Sequence, residues 1–299
     1  MRILITGGRG LIGSHVARAL AEQRPECERH LLTHAHGGFP DGVSGVFHRG
    51  DVTRPETLPP ALHGIDVVIH CVQFPNHPVE NPRRGWTYER VDGDGTAAVV
   101  AAAKASGVRR FIYLSGAGAG PDRPQPWFRA KWRAEEAIRA SGMEYVIFRP
   151  SLVYGPEDRS LNRFIGMIRR LPLVPVIGDG KQHVQPVHVD DLAALIVRSI
   201  DGPSTTNQVF EVGGPAMTMD DLLRAIGRAL GTPRRLVHLP KALVKAAAAA
   251  LQWLPGRPIT PAAVEFITMD VVVDTRGIER VFAWRPRSLA VELSRIALR

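Results

Sequence analysis

The chain has few cysteines, and its first residues carry no secretion signal. Only two of its 299 residues are cysteine, Cys27 and Cys71. Two cysteines are too few for a disulfide framework, and their spacing matches no metal site. The sequence opens directly on the apolar run 3–5, without the charged and apolar regions of a signal peptide. We therefore predict a cytoplasmic protein that binds no metal.

The sequence also lacks an apolar run long enough to cross a membrane. Its most apolar helical stretch, residues 242–254, contains Lys245 and is followed by Pro255. A membrane-spanning helix needs about 20 apolar residues. A shorter helix of this kind packs on a partner, on a lipid surface or inside the protein, and its length favours burial inside the protein.

No block of like charge is present, although the net charge is +9. The basic residues are scattered and are not interleaved with aromatic residues, as they are in nucleic-acid platforms. We therefore expect no nucleic-acid partner. Hydrophobic residues make up 44% and charged residues 22% of the chain, which is usual for a globular protein. The oligomeric state stays open.

Short apolar runs alternate with helical patterns in the first half of the chain. Runs near 3–6, 30–33, 45–48, 66–71, 111–114 and 146–148 have the length of buried strands. Gly107 and Gly142 each stand where a helical pattern stops and an apolar run follows. This alternation predicts an α/β fold of the Rossmann type, a doubly wound parallel sheet with helices on both faces.

The strict alternation ends near residue 151, where proline-rich connections begin. We interpret residues 1–152 as a dinucleotide-binding core and residues 153–299 as mainly a smaller lobe on the substrate side. Strands near 186–191 and 209–212 are expected to return to the sheet. The second part is therefore predicted to be integrated with the first rather than independent.

A glycine-rich turn follows the first strand at Thr6-Gly7-Gly8-Arg9-Gly10-Leu11-Ile12-Gly13. In such a turn the first glycine permits the tight bend, the second lets the backbone approach a pyrophosphate, and the third allows close packing of helix on strand. The main-chain amides of the following helix then point at the anion. The sequence therefore predicts a bound nicotinamide dinucleotide that Gly7, Arg9, Gly10, Leu11, Ile12 and Gly13 contact.

The residues expected near the adenosine ribose favour NADP(H) over NAD(H). An acidic residue about 20 positions after the turn normally binds the ribose hydroxyls. The second strand instead ends Thr33-His34-Ala35-His36, and Arg9 lies inside the turn. Basic and neutral groups suit a ribose 2′-phosphate, which Arg9 and His34 are predicted to approach.

The third strand is followed by Gly50-Asp51-Val52. The Asp51 carboxylate can accept a hydrogen bond from the adenine amino group while Val52 packs on the ring. The alternative for Asp51 is a helix cap or a turn aspartate.

Seven segments of the chain together resemble the short-chain dehydrogenase/reductase superfamily in its extended and atypical branches. The resemblance is closest to the group around the 39-kDa accessory subunit of respiratory complex I and its bacterial relatives, and it covers nearly the whole chain. The segments are TGGRGLIG at 6–13, GDV at 50–52, VRRFIYLSG at 108–116, WFRAKWRAEE at 127–136, FRPSLVYGP at 148–156, IGDG at 177–180 and PVHVDDLA at 186–193.

The resemblance implies a catalytic Tyr-x-x-x-Lys motif that this chain keeps only in part. Lys131 matches the lysine that binds the nicotinamide ribose, but Trp127 stands at the tyrosine position. An indole donates a hydrogen bond but does not transfer a proton near neutral pH. We predict that Lys131 and Ser115 serve catalysis, and that Ser115 faces the substrate; a structural serine at the strand end is the alternative for Ser115.

The resemblance implies further contacts around the nicotinamide. Beside Lys131, the predicted cofactor residues are Cys71, Val72, Pro150 and Ser151. The predicted substrate residues are Gln73, Ser115, Trp127, Val153 and Tyr154. Tyr154 is an open candidate for the missing phenol, with packing as its alternative.

Two family features argue against other chemistries. Val184 stands where extended enzymes that act on sugar nucleotides carry an arginine for the diphosphate. Epimerase chemistry is therefore not expected. His188, Asp190 and Asp191 could suggest an acid-base cluster or a metal site, and at strand spacing His188 and Asp190 share a face. No third ligand has a convincing spacing, so we expect structural hydrogen bonds there.

The resulting prediction is an NAD(P)H-dependent ketoreductase for a bulky aromatic or polyketide-like carbonyl compound. Hydride transfer needs mainly the cofactor and an oriented carbonyl, and the proton is expected from water or from the substrate itself. Trp127, with Trp86, Phe74 or Phe128, would form a flat apolar wall for the substrate. The alternative is a non-catalytic accessory, assembly or redox-sensing protein that binds NAD(P)H.

Overall fold

The computed structural model describes residues 1–34, 40–251 and 259–297. Within these residues, seven parallel strands form one sheet in the order β11-β6-β5-β4-β1-β2-β3. The predicted doubly wound α/β fold is confirmed. The strands are β1 (Arg2–Thr6), β2 (Glu28–Thr33), β3 (Val46–Arg49), β4 (Val67–His70), β5 (Arg110–Leu114), β6 (Glu144–Pro150), β7 (Val153–Tyr154), β8 (Leu173–Ile177), β9 (His183–Val184), β10 (Val187–His188), β11 (Gln208–Val212), β12 (Met217–Thr218) and β13 (Arg235–Leu239).

Helices cover both faces of the sheet and build the smaller lobe. They are α1 (Leu11–Gln23), α2 (Pro59–Leu62), α3 (Gly95–Ala105), α4 (Pro126–Ala140), α5 (Arg159–Arg170), α6 (Val189–Arg198), α7 (Met219–Ala229), α8 (Lys241–Leu251), α9 (Pro261–Ile267), α10 (Arg276–Phe282) and α11 (Leu289–Ala297). A π-helical segment, Tyr88–Asp94, leads directly into α3, and short 3₁₀ turns lie at Pro55–Thr57, Pro82–Arg84 and Pro203–Thr205.

The two faces of the sheet bury alternate residues of each strand, as the period of two in a strand requires. In β1, Ile3 and Ile5 pack with α1 and α6 in one apolar cluster. Leu4 belongs to the second cluster, on the face that α3 and α4 cover.

The chain order reverses between β1 and β4, and ligands of open α/β sheets bind at the carboxyl ends of the strands at such a switch point. The candidate site is therefore expected at this edge.

The smaller lobe differs from its predicted strand pattern. β11 lies beside β6 in the main sheet. The expected strand over 186–191 is only the two residues of β10, which pair with β7 outside the main sheet. α6 begins at Val189 because His188 caps it, its ring nitrogen accepting a hydrogen bond from the Asp190 amide at 3.2 Å. These residues therefore do not return to the sheet.

Helix α8 is exposed, so the expectation that it is buried is wrong. Leu243 is 64% and Leu251 is 41% exposed, and only Ala248 of this helix is fully covered. Lys241 and Lys245 form ion pairs with Glu265 on α9, so α8 is held to its neighbour partly through polar contacts. Residues 252–254 of the expected helix lie outside the described residues. Among the helices of the described ranges, none has the length and apolarity needed to cross a bilayer.

Candidate functional site

The glycine turn between β1 and α1 is closed by its own main chain. Gly7 has φ of +74°, which favours glycine, and its carbonyl oxygen accepts a hydrogen bond from the Gly10 amide at 2.9 Å. A Cβ atom on Gly13 would lie 2.3 Å from the Gly7 carbonyl oxygen. A side chain at position 13 would therefore force the turn and the helix apart.

The N-terminus of α1 fits an anion. Its capping residue, Gly10, provides no side-chain hydrogen bond, and the first turn contains no acidic residue. The amides of Leu11 and Ile12 have no partner within the helix, since the first turn of any helix leaves its donors unpaired. Such donors bind a phosphate well. The turn and the helix thus fit the pyrophosphate of a dinucleotide.

Basic side chains stand at the strand ends expected to bind the adenosine ribose. His34 follows β2 and is exposed, and Arg9 in the turn is half-buried. The register pairs Thr33 of β2 with Arg49, the exposed last residue of β3. We did not predict Arg49 as a site residue; its place just before Gly50-Asp51 was the available signal. Residues 35 and 36, which also entered the prediction of NADP(H), lie outside the described residues.

Asp51 takes part in a turn of its own. Its Oδ1 atom accepts hydrogen bonds from the amide and the hydroxyl of Thr53, both at 2.8 Å. This is the geometry of the turn aspartate considered as the alternative. Val52 is buried and packs on Gly95 at the start of α3. A contact of Asp51 and Val52 with adenine stays a prediction.

A buried ion pair lies at the end of the site where the nicotinamide is expected. Lys131 Nζ on α4 is 2.9 Å from Asp92 Oδ1, and Asp92 is completely buried. Lys131 Nζ also donates a hydrogen bond to the Leu114 carbonyl oxygen at 3.3 Å and lies 5.4 Å from the ring centre of Tyr113. Burial alone would lower the pKa of Lys131, but Asp92 and Tyr113 outweigh it and raise the pKa above its usual range. Lys131 is therefore a fixed cation at neutral pH.

The residues that are expected to contact the cofactor or the substrate lie directly after the last residues of β4 and β6. The Cys71 amide donates to the Thr6 carbonyl oxygen at 3.1 Å, and burial raises the pKa of the Cys71 thiol to about 12. Val72 is half-buried, and Gln73, the predicted substrate residue, is exposed. The Ser151 amide, just after β6, donates to the Val212 carbonyl oxygen at 2.8 Å. Their roles toward a ligand stay predictions.

Three further predicted residues occupy the same region. Pro150 ends β6, and its carbonyl oxygen accepts a hydrogen bond from the Ala117 amide at 3.1 Å. Val153 in β7 is half-buried. Val184 lies in β9 and pairs with Met217 of β12. An apolar side chain thus occupies the position at which sugar-nucleotide enzymes carry an arginine.

The hydroxyl of Ser115 is engaged by a buried carboxylate. It donates to Glu135 Oε1 at 2.6 Å. Glu135 also accepts two hydrogen bonds from Arg149, at 2.9 and 2.6 Å, and one from Arg139 at 2.6 Å. This network ties α4 to β5 and β6. The alternative of a structural serine therefore has geometric support, and a substrate contact of Ser115 stays a prediction.

The aromatic side chains around Trp127 form a packed cluster rather than an open wall. Trp127 is 6% exposed, and Phe74 and Phe128 belong to the same apolar cluster, with Trp86 packed against it. Phe266 of α9 meets the Trp127 ring edge-on, with ring centres 5.3 Å apart. The flat, accessible wall expected from the sequence is thus covered by the C-terminal part of the chain.

Tyr154, the open candidate for the missing phenol, lies in the apolar cluster of the smaller lobe. Its ring meets His188 edge-on at 5.2 Å, and burial raises the pKa of its phenol above the usual range. This placement supports the packing alternative, and a substrate contact stays a prediction.

The acidic and histidine residues near α6 form structural hydrogen bonds. His15 on α1 holds Asp190 Oδ1 at 2.5 Å through Nδ1 and Glu157 Oε2 at 3.1 Å through Nε2. Burial lowers the pKa of His15, but these two carboxylates outweigh it, and the net shift is upward. His188 caps α6, and the Asp191 carboxylate accepts hydrogen bonds from Arg287. No group of three metal-ligating side chains occurs in the part of the chain that the structure describes.

Three residues near the nicotinamide end were not predicted from the sequence. Asp92 and Tyr88 come from the π-helical segment, and Phe266 comes from α9, more than 120 positions after the end of α4 in the chain. Asp92 stands one turn before a helical pattern that offered no sign of a buried charge. Phe266 gave no signal at all, because its contacts depend on how the C-terminal part folds back.

The chain belongs to the NAD dependent epimerase/dehydratase family, whose model matches residues 3–213. An NAD(P)H azoreductase of Xenophilus azovorans is 31% identical over 245 residues, covering 79% of this chain and 77% of the relative. A ceramide reductase of Caulobacter vibrioides is 30% identical over 243 residues, covering 80% and 73%. The predicted membership of the extended dehydrogenase/reductase group is confirmed, and the protein is of an NAD(P)-dependent oxidoreductase class.

The likeness to complex I accessory subunits is also confirmed. Subunit 9 of the NADH dehydrogenase [ubiquinone] 1 alpha subcomplex of Arabidopsis thaliana is 36% identical over 153 residues, which cover 50% of this chain and 38% of that protein. Among solved structures, a UDP-glucose 4-epimerase of Thermotoga maritima with UDP-glucose superposes with a TM-score of 0.74 at 22% identity, covering 100% and 98% of the two chains. That likeness concerns the fold.

Proposed function

We propose that the protein is an NADPH-dependent ketoreductase acting on a bulky aromatic or polyketide-like carbonyl compound. The observation that carries the proposal is the buried ion pair of Lys131 and Asp92, which fixes a cation beside the end of β5, together with the uncapped N-terminus of α1. A fixed cation is suited to holding the nicotinamide ribose. When bound, the reduced nicotinamide supplies a hydride for the carbonyl carbon.

The preference for NADPH rests on the charge at the ends of β1, β2 and β3. Arg9, His34 and Arg49 stand there, and the described part of the β2 end carries no carboxylate. A carboxylate at this place would repel a 2′-phosphate, whereas guanidinium groups bind phosphate through two parallel hydrogen bonds.

The reductase reading is supported by two relatives whose names describe reductases. Epimerase chemistry on a sugar nucleotide is disfavoured by Val184, because an apolar residue in β9 cannot neutralise a diphosphate. The proton for the developing alkoxide does not come from position 127, since Trp127 has no acidic proton. Water and the substrate itself are the two proton sources that the sequence analysis predicts.

The second candidate is a non-catalytic protein that binds NAD(P)H as an accessory, assembly or redox-sensing factor. Two observations favour it: the indole at position 127, and the closed aromatic cluster, in which Trp127 is only 6% exposed. The likeness to a complex I subunit points the same way.

The cofactor preference is tested by titrating the protein with NADPH and NADH. Arg9→Ser and Arg49→Ser are each expected to weaken NADPH binding about tenfold or more, because a charge-assisted hydrogen bond contributes about 1.5–3 kcal/mol. NADH binding should change less than about twofold on the same reasoning. Arg29→Ser, at the opposite end of β2, is the matched control and should leave both affinities unchanged. Equal losses for NADH and NADPH would contradict the 2′-phosphate site.

The reductase itself is tested by following NADPH oxidation with 1-tetralone and 9,10-phenanthrenequinone as probes. Turnover supports the enzyme. Tight NADPH binding without oxidation across a wide carbonyl panel would favour the second candidate.

A further inference from the structure

The π-helical segment and α4 face each other in two layers. In one layer Asp92 pairs with Lys131 at 2.9 Å. In the other, Tyr88 faces Trp127, with ring centres 6.0 Å apart. Tyr88 precedes Asp92 by four residues, and Trp127 precedes Lys131 by four residues, so both pairs are about one helical turn apart. The phenol of Tyr88 therefore stands across from the position where the family places its catalytic tyrosine.

Both side chains in the second layer carry an unused hydrogen-bond donor. The Tyr88 hydroxyl and Trp127 Nε1 are buried and have no hydrogen-bond partner among the described residues. Tyr88 is 2% exposed. Leaving a buried donor unpaired costs about 1–3 kcal/mol. Each unpaired buried group calls for an explanation, and a ligand oxygen between the two facing rings would supply the missing acceptor.

We propose that Tyr88 is the proton donor of this reductase and that Trp127 Nε1 is the second donor to the same carbonyl oxygen. The inference rests on the reductase function proposed above and replaces water or the substrate as the proton source. As hydride reaches the carbonyl carbon, the C=O π bond opens, and the oxygen takes the proton of Tyr88. The products are the alcohol and the oxidised nicotinamide, and the Tyr88 phenolate recovers a proton from water after the alcohol leaves.

The surroundings of Tyr88 keep its phenol protonated and make it a weaker acid than a free tyrosine, so that only a strongly basic alkoxide oxygen takes its proton. Burial raises the pKa of Tyr88 above its usual range, and the nearby Asp92 and Glu80 carboxylates add to the effect. Phe74 meets the Tyr88 ring edge-on at 4.8 Å, and His77 does so at 5.5 Å. Burial, with Lys131, lowers the pKa of His77 to about 3, so this imidazole is neutral and does not compete as an acid.

We expect a carbonyl compound to reach the two donors by displacing Phe266, which covers them. This side chain is partly exposed and lies edge-on to both Trp127 and His77, at 5.3 and 4.6 Å. The ligand therefore takes the place of an aromatic ring in an aromatic cluster, which selects a flat apolar ketone.

The test compares Tyr88→Phe with Tyr145→Phe. The second variant removes a hydroxyl at the N-terminal end of β6, opposite the end that carries Pro150. With 1-tetralone and 9,10-phenanthrenequinone as probes, Tyr88→Phe should lower kcat about 100-fold, the usual contribution of a positioned acid, with KM changed less than about threefold. The NADPH dissociation constant of Tyr88→Phe should stay at the wild-type value. For Tyr145→Phe, kcat, KM and the NADPH dissociation constant should all stay at the wild-type values. Trp127→Phe should lower kcat about tenfold, as expected for one lost hydrogen bond.

Calorimetric titration of the NADP⁺-loaded protein with the same two ketones gives a readout that does not depend on turnover. Tyr88→Phe should weaken ketone binding about fivefold or more, and it should not lower the unfolding midpoint, because the hydroxyl it removes stabilises nothing in the free protein. A loss of stability would show a structural hydroxyl and overturn the inference.

The outcomes separate the two proposals. Full kcat in Tyr88→Phe overturns the role of Tyr88 but leaves the reductase intact, with water or the substrate as proton source. Absence of turnover in the wild type contradicts the reductase, and calorimetry then decides on the donor site: unchanged ketone binding in Tyr88→Phe, or no binding by the wild type, overturns it.

Discussion

Replacing Asp92 by asparagine is expected to destabilise the protein by about 3 kcal/mol. Removing one partner of a buried ion pair costs about 3–5 kcal/mol, because the other charge stays buried without compensation. Asp92 is completely buried and Lys131 is 8% exposed, so solvent screens neither group. The lower end of the range applies, since the asparagine oxygen still accepts a hydrogen bond from Nζ.

The variant should also change how stability depends on pH. In the wild type the pKa of Lys131 is raised above its unfolded value, so its stabilisation is complete at neutral pH and is lost only as the pH rises through the raised value. Without Asp92, burial lowers the pKa of Lys131 below its unfolded value. The unfolded chain then binds more protons than the folded one, and the stability of Asp92→Asn should rise between about pH 7 and pH 10.

Urea unfolding of four proteins measures the effect: wild type, Asp92→Asn, Lys131→Met and the double variant. The double variant should be within about 1 kcal/mol of the wild type, since apolar replacement of a buried pair is often neutral. The two single losses should therefore not add. Additive losses, or a cost below about 1 kcal/mol for Asp92→Asn, would refute the buried charge pair.

Two further predictions concern α1. Gly13→Ala should cost about 2–3 kcal/mol, as overpacking does, and weaken NADPH binding at least tenfold, because its Cβ atom would lie 2.3 Å from the Gly7 carbonyl oxygen; calorimetric titration and urea unfolding measure both, and wild-type affinity would contradict the closed turn. His15 has a raised pKa through Asp190 and Glu157, so its stabilisation is complete below about pH 6.5 and is lost as the pH rises through the raised value. The stability of the wild type should fall relative to that of His15→Gln across this window, and parallel pH profiles would rule out the ion pairs.

The parts of the fold set by local residues were predictable. The glycine turn depends on residues within eight positions of one another, and the strand and helix patterns repeat with their own periods. The start of α6 at Val189 was not predictable, because the apolar residues of 186–191 do not show that His188 caps a helix. α8 was misjudged for a similar reason: an alanine-rich pattern has the same appearance whether its apolar side is covered or exposed.

The candidate site was predictable only where one segment holds it. Lys131 follows from the resemblance to the family's Tyr-x-x-x-Lys motif, which lies on a single helix. Its partner Asp92 lies 39 positions earlier, and no periodicity links the two. Tyr88 and Phe266 acquire their meaning from contacts with Trp127 across three separate elements. Distances of this kind arise from packing, which sequence patterns do not encode locally.

Helix α4 presents Trp127, Lys131 and Glu135 on one face at four-residue intervals, and Trp127 packs on the aromatic rings of Tyr88 and Phe266. Lys131 meets the π-helical segment, and Glu135 clamps the strand ends. A substitution at position 127 therefore leaves intact the contacts by which Lys131 and Glu135 hold the helix in place. A library of substitutions at position 127 can therefore place different side chains beside Tyr88 on an unchanged scaffold.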